Sequence, residues 1–260
     1  ASPNEITASQ LHRLIGTPGC PVLIDVCIEE DFSANPFLIP SAIRHPYDRI
    51  EELGDRLQNQ RVVIICQKGK KLSAGAAALL RNCGVQAETL KGGNIAWAEA
   101  GLMRVPAKNI PPRRPSGHTL WVTRHRPKID RIACPWLIRR FVDPQAQFLF
   151  VAPPEVDAVA EKFLATPFDV ETAFWSHRGE ECTFDTMINE WGLNNDALQK
   201  LALIVRGADT DRHDLAPETA GLLAASLGLS RMYKDDLAQL DAGMMLYDAL
   251  YRWARDAQDE

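Results

Sequence analysis

Arg61-Val62-Val63-Ile64-Ile65-Cys66-Gln67-Lys68-Gly69-Lys70-Lys71 is the stretch that decides how the first half of this chain folds. Residues 61–65 are short, continuous and largely β-branched, the composition of a strand buried on both faces. A polar loop follows, and residues 72–82, rich in Ala and Leu, read as a helix that opens near Ser73 and is stopped by Gly84. Residues 85–90 make the next short strand, and Val22-Leu23-Ile24-Asp25-Val26 repeats the buried-strand pattern upstream. Strand, loop, helix and strand form a βαβ unit. The expectation is an α/β parallel sheet with flanking helices and reactive groups at the carboxyl ends of its strands.

Working outward, 260 residues exceed what one ordinary core accommodates, so two domains are expected. Residues 104–117 carry prolines at 106, 111, 112 and 115 and no apolar period, which reads as a stiff linker. The division is therefore a first domain at 1–108, a linker at 109–117 and a second domain at 118–260. In the second domain 119–123 and 148–151 read as strands. Residues 128–141, 154–164, 183–191, 196–205, 216–227 and 234–257 read as helices, the last broken near Gly243. That domain is thus expected to be mainly α, of the α+β kind.

The chain is 46% hydrophobic and 24% charged, a globular composition, and no run of 18 apolar residues marks a membrane span. Its first residues, Ala1-Ser2-Pro3-Asn4-Glu5, lack a basic segment followed by an apolar one, so a cytoplasmic location and no membrane partner are expected. Six cysteines are scattered without Cys-x-x-Cys pairs and read as reduced thiols. The net charge of −5 is uneven: residues 1–115 sum to about +3 and 116–260 to about −8. An acidic second half disfavours nucleic acid held by general phosphate attraction. Nucleotide loops of the Gly-x-Gly-x-x-Gly or Gly-x4-Gly-Lys-Ser/Thr type are missing.

A cysteine at the end of a buried strand, followed by a loop running into a helix N-terminus, sits where amide groups and the helix dipole converge. Lys68, Lys70 and Lys71 add positive charge, so Cys66 is expected to be an ionised nucleophile in a loop that attracts small anions. The Cys66, Gly69 and Lys71 spacing resembles the active-site loop of the rhodanese family, Cys-x-x-Gly-x-Arg/Lys-Ser. Asp25-Val26, Ile39-Pro40-Ser41-Ala42 and the run from Leu90-Lys91-Gly92-Gly93-Asn94 through Trp97 to Gly101-Leu102 extend the resemblance over about residues 5–108. It implies a sulfurtransferase that passes sulfane sulfur through a Cys66 persulfide, from a thiosulfate-like donor to a thiol acceptor, with no cofactor. The expected donor-binding residues are Gln67, Lys68, Gly69, Lys70, Lys71 and Asp25. Four places depart from the pattern: Cys27 stands where an arginine is usual, Phe37-Leu38 stands for the Gly-His ahead of Ile-Pro, Lys71 replaces arginine, and Leu72 occupies the place of the loop serine, with Ser73 one later. Phosphatases of the Cys-x5-Arg type need arginine at position 72, so their chemistry is disfavoured. Cys27 reads as a buried structural cysteine, with a resolving thiol as the other reading.

In the second domain, residues 121–143 hold many basic groups, and Arg124, Lys128 and Arg131 fall close enough to hold an oxyanion. The plainer reading is a solvated face paired with this domain's acids. This stretch, with Phe168-Asp169, Ser176-His177-Arg178-Gly179, Cys182-Thr183-Phe184-Asp185 and 205–210, resembles the chromate-resistance protein family over nearly all of 119–257. That resemblance implies an accessory or regulatory place in chromate detoxification, with chromate or another oxyanion as ligand. His177, Cys182 and Asp185 form a His-x4-Cys-x2-Asp arrangement, and Asp209, Asp211, His213 and Asp214 a second polar cluster. His177, Asp185 and Asp209 are the expected metal ligands, for zinc or iron. Against this, the two aspartates are also good helix caps and His177 a satisfied core residue. Apolar stripes in 222–227 and 237–251 read as core or as the interface of a homodimer. The leading expectation is a sulfurtransferase working in chromate or oxidative stress. The alternative is a non-catalytic oxyanion-sensing regulator.

Overall fold

The computed structural model describes residues 3–257; the outermost ends of both expected domains, 1–2 and 258–260, lie outside it. Apart from the three residues Arg140–Val142, one compact unit ends at Ile110 and the other begins at Pro111.

The first unit runs β1 (Glu5–Ile6), α1 (Ala8–Leu14), β2 (Val22–Asp25), α2 (Glu29–Ala34), β3 (Phe37–Leu38), β4 (Ile43–Arg44), β5 (Arg61–Ile65), α3 (Lys71–Asn82), β6 (Gln86–Leu90), α4 (Gly93–Glu99) and β7 (Val105–Pro106). Five strands form one parallel sheet in the order β1-β6-β5-β2-β4, and β3 pairs β7 antiparallel. The central strand β5 is apolar throughout after Arg61 because a parallel sheet needs both faces covered. Val62 and Ile64 join Ile24, Val26 and the α3 residues Ala76, Ala77 and Leu80 in one buried cluster. Leu11 and Trp97, the latter donating through Nε1 to the Met103 carbonyl at 2.9 Å, are fully buried as well. Helix α3 begins at Lys71, ahead of the start expected near Ser73. Register pairs Ile65 with Asp25, so the ends of β5 and β2 lie side by side and the loops after them face one another.

The second unit runs β8 (Leu120–Arg124), α5 (Asp130–Phe141), β9 (Gln147–Val151), α6 (Val156–Phe163), β10 (Thr166–Pro167), α7 (Thr183–Glu190), α8 (Asp196–Asp209), α9 (Thr219–Met232) and α10 (Asp236–Asp256). It is mostly helical, around a three-stranded parallel sheet ordered β10-β8-β9. Strand β10 has no sequence signature: it is two residues long, and its proline is tolerated because it sits at an edge. Trp121 lies edge-on to Phe168, Trp175 and Trp191, with centroids 6.0, 6.0 and 6.1 Å away. Trp136 packs against Tyr247 and Tyr251 and donates through Nε1 to Asp248 at 2.8 Å. Among the described residues no helix is long and apolar enough to cross a membrane.

Helix α10 is continuous through Gly243, where a break was expected. The glycine is there for proximity: a Cβ would lie 2.5 Å from Cγ2 of Ile132 on α5. That methyl is fixed by the β-branch, so it cannot swing aside. Gly243→Ala should therefore lower stability by about 1–2 kcal/mol in urea unfolding, overpacking outweighing the roughly 1 kcal/mol helix-propensity gain. An unchanged or raised midpoint would show that the two helices separate freely.

Candidate functional site

Cys66 is the first residue after β5 and is 4% exposed. Its loop is held from behind by the start of α4: the Cys66 carbonyl accepts from the Asn94 amide and the Gln67 carbonyl from the Ile95 amide, both at 3.0 Å. Glycine permits this close approach. Gly69, with φ +64°, would place a Cβ 2.5 Å from the Leu90 carbonyl and 2.7 Å from the Gly92 amide. The thiol donates to Ser73 Oγ at 3.2 Å, and that hydroxyl donates to the Lys70 carbonyl at 3.2 Å. Ser73 is a site residue that the motif reading missed. In a helix starting at Lys71, Leu72 turns to the apolar cluster beside Val62 and Ile64, and position 73 faces the sulfur.

Lys68, Lys70 and Lys71 are exposed around this loop, and Lys71 borders a groove of about 580 Å³ with Tyr47, Asp48 and Leu79. The Gln67 side-chain amide lies against Asp31, and with its nitrogen turned toward that carboxylate it reaches both oxygens at 2.9 Å. Asp25 does not serve an anion, contrary to expectation. It is 1% exposed, and its oxygens accept from the Cys27 amide and from Asn94 Nδ2, each at 2.9 Å. It braces Asn94, and through it the Cys66 loop. Cys27 is buried, and burial first, then the Asp25 charge, pushes its thiol up to about 12. A thiol so held stays largely protonated at neutral pH, which favours the structural reading over the resolving one.

In the second unit the expected oxyanion trio does not converge. Arg124 Nη2 donates to the Asp169 carbonyl at 3.0 Å and Oδ2 at 3.3 Å, and Arg131 Nε lies 3.4 Å from the same Oδ2. Arg131 also donates to the carbonyls of Arg124 and His125. Both guanidinium groups are thus matched by a buried carboxylate far downstream in sequence. Lys128 is exposed and borders Ile132, Ser226 and Gln239 instead.

The expected metal set is divided as well. Asp185 caps α7, accepting from the Cys182 amide at 3.0 Å and thiol at 3.2 Å, and takes Arg206 bidentately at 2.9 and 2.7 Å. Its charge is matched there, away from His177. His177 Nε2 lies 3.1 Å from Asp209 Oδ2, 3.4 Å from Asp169 Oδ1 and 3.5 Å from Asp130 Oδ2. Asp130 and Asp169 are therefore the members that the sequence reading missed. Asp130 opens α5, is fully buried, and accepts from the Thr183 and Phe184 amides at 2.6 and 3.3 Å, so it caps α7 across the fold. Its only sequence signal is a position at a helix start. The preceding Ile129 has φ +37°, strained for a β-branched residue, and Asp169 has φ +54°.

Electrostatics follow from this packing. Burial drives the Asp130 carboxyl upward, against the pull of His177 and with the push of Asp209 and Asp169. Asp169 is also raised by burial, but hydrogen bonds with His177 and Thr183 and the two arginines leave it below its ordinary value. His177 is held far above the usual imidazole value by its contacts with Asp130, Asp169 and Asp209. Burial raises the Cys182 and Cys134 thiols well above the ordinary range. In the second polar cluster, His213 meets Asp211 at 3.1 Å and Arg212 meets Asp214 at 3.1 Å, all at the surface.

Residues 7–100 match the family model described as rhodanese-like domain, and residues 121–254 that described as ChrB, C-terminal domain. Protein ChrB of Cupriavidus metallidurans is 34% identical over 148 residues, which cover 56% of this chain and 44% of that relative. The chain thus spans under half of the length of that relative. Among solved structures, it is similar to a rhodanese-related protein from Thermoplasma volcanium, with TM-score 0.33, 24% identity and coverage of 39% of this chain and 97% of that one. A rhodanese-like domain protein from Staphylococcus aureus gives TM-score 0.32 and 28% identity over 36% of this chain and 90% of that one. The chain belongs to the ChrB C-terminal domain family and carries a rhodanese-like domain ahead of that part.

Proposed function

We propose that the first unit is a sulfurtransferase in which Cys66 carries sulfane sulfur as a persulfide. The observation that supports this most directly is the Cys66 sulfur at a strand end, 3.2 Å from a helix-first-turn hydroxyl, in a loop pinned by Asn94 and Ile95. The ionised sulfur attacks the outer sulfur of a thiosulfate-like donor. The donor S–S bond breaks, and sulfite leaves with the bonding pair. An acceptor thiolate then attacks the terminal sulfur of the persulfide, takes that sulfur and returns Cys66 as the thiolate. The amides of Gln67 to Lys70, which donate to no backbone carbonyl among the described residues, and the exposed Lys68, Lys70 and Lys71 hold the donor's negative charge. Slight exposure of Cys66 favours a small donor presented end-on.

The chemistry needs no cofactor. The likeness of the second unit to the ChrB C-terminal domain family supports a link between this sulfur transfer and chromate resistance. The regulatory alternative rested on an oxyanion held by Arg124, Lys128 and Arg131, and Asp169 already pairs the two arginines, which weighs against it. The test is mass spectrometry of the full chain, pre-reduced and then incubated with thiosulfate. One sulfur should be gained on the Cys66 peptide, and Cys66→Ser should abolish the gain. No gain by the unaltered protein would end the proposal.

A further inference from the structure

The cluster around His177 takes no part in the sulfur transfer proposed for Cys66. Its four side chains come from three places in the second unit: the start of α5 gives Asp130, the end of α8 gives Asp209, and the segment ahead of α7 gives Asp169 and His177. One oxygen each of Asp130 and Asp209 and one imidazole nitrogen lie within 4.8 Å of one another. Ligand atoms bound at 2.0–2.2 Å around one cation stand about 3.0–3.5 Å apart. The separations from His177 Nε2, 3.1 Å to Asp209 and 3.5 Å to Asp130, fall in that range.

Asp169 stands next to this set but is already matched. Its Oδ2 faces two guanidinium groups, and its Oδ1 accepts from the Thr183 hydroxyl at 2.9 Å. Asp169 Oδ1 also lies 3.4 Å from His177 Nε2, but the arginines answer its charge, which leaves the charges of Asp130 and Asp209 to be matched at the imidazole. A protonated imidazole cancels one of their charges, whereas a divalent ion beside a neutral imidazole cancels both. Asp130 is fully buried, where an uncancelled charge is costly. His177 and Asp209 are 41% and 19% exposed at the side chain, which gives an ion a way in and leaves room for water as further ligands.

We infer that Asp130, His177 and Asp209 bind one first-row divalent cation of the Mn²⁺, Fe²⁺ or Zn²⁺ class. One nitrogen and two carboxylate donors suit these borderline to hard ions. Calcium wants six to eight oxygens, more than this set supplies. Soft copper(I) is disfavoured because the Cys182 thiol is engaged by Asp185.

Full-length protein stripped with a chelator and titrated with MnCl2 should remove the free Mn²⁺ paramagnetic resonance signal at close to one ion per chain. ZnCl2 should displace that ion. His177→Ala and Asp209→Ala, both at partly exposed positions and checked for fold by circular dichroism, should weaken Mn²⁺ binding on the order of 100-fold or more. His213→Ala, at the surface pair with Asp211, should bind like the unaltered protein. Broadening of the His177 ring resonances by Mn²⁺ in the unaltered protein asks the same question without a substitution. An Mn²⁺ signal unaffected by the protein overturns the site. So does binding that persists undiminished in both variants, or His177 resonances that stay sharp at saturation.

Discussion

Asp130→Ala should destabilise the protein by about 3–5 kcal/mol, the range for removing one partner of a buried charged network. The side chain is fully buried, and three groups depend on it. The amides of Thr183 and Phe184 accept no replacement from water at that depth, and each orphaned donor costs about 1–3 kcal/mol. The third is His177, whose raised basicity is owed first to Asp130. Asp130→Asn keeps the shape and one acceptor oxygen, so its loss should be smaller. Glu161→Ala, exposed on α6, should stay within about 0.5 kcal/mol of the unaltered protein. Urea unfolding followed by tryptophan fluorescence measures all three. A loss below about 1 kcal/mol for Asp130→Ala would mean that the α7 amides are satisfied in some other way.

The contrast between Asp130 and Asp185 explains what could be read in advance. Both cap α7. Asp185 does so locally, from the third position of the helix, and a local cap is visible as spacing. Asp130 reaches the same helix end from a segment far away in sequence, and no spacing rule reports that. Arg206, which claims Asp185, and Asp169, which claims Arg124 and Arg131, are likewise long-range partners. Residue type shows which groups need a counter-charge, but chain topology decides who supplies it. The parallel sheet was legible because its signals are local: an apolar run in β5, a helix of Ala and Leu in α3, another strand after Gly84. Ser73, one position after the motif's serine, was not assigned to the site because the motif carries no helix phase. Once α3 starts at Lys71, phase turns Leu72, partly buried, against the core and makes Ser73 the neighbour of the sulfur. Gly243 was misread for a related reason, since glycine as helix breaker and glycine as close-packing residue look alike until the facing Ile132 is known.

Gly93→Ala should slow sulfur loading of Cys66 on the order of 100-fold, the scale expected when a reacting group is displaced by about 1 Å. Gly93 has φ +59°, so an L side chain is already strained there by roughly 1 kcal/mol. The added Cβ would also collide with the Cys66 carbonyl, and would meet the Gly69 amide at 2.6 Å and the Gln67 carbonyl at 2.8 Å. All three are backbone atoms, so no rotamer relieves the overlap. The loop and the start of α4 must part, and the hydrogen bonds from Asn94 and Ile95 that seat the nucleophile go with them. Gly75→Ala supplies the comparison: it lies on α3 with nothing within 4 Å of its Cβ and should load sulfur at the unaltered rate. The measurement is the rate at which the Cys66 peptide gains one sulfur from thiosulfate, with far-UV dichroism confirming the fold. If Gly93→Ala loads as fast as Gly75→Ala, the close backbone contact does not position the sulfur, and the loop's geometry must be set from the α3 side alone.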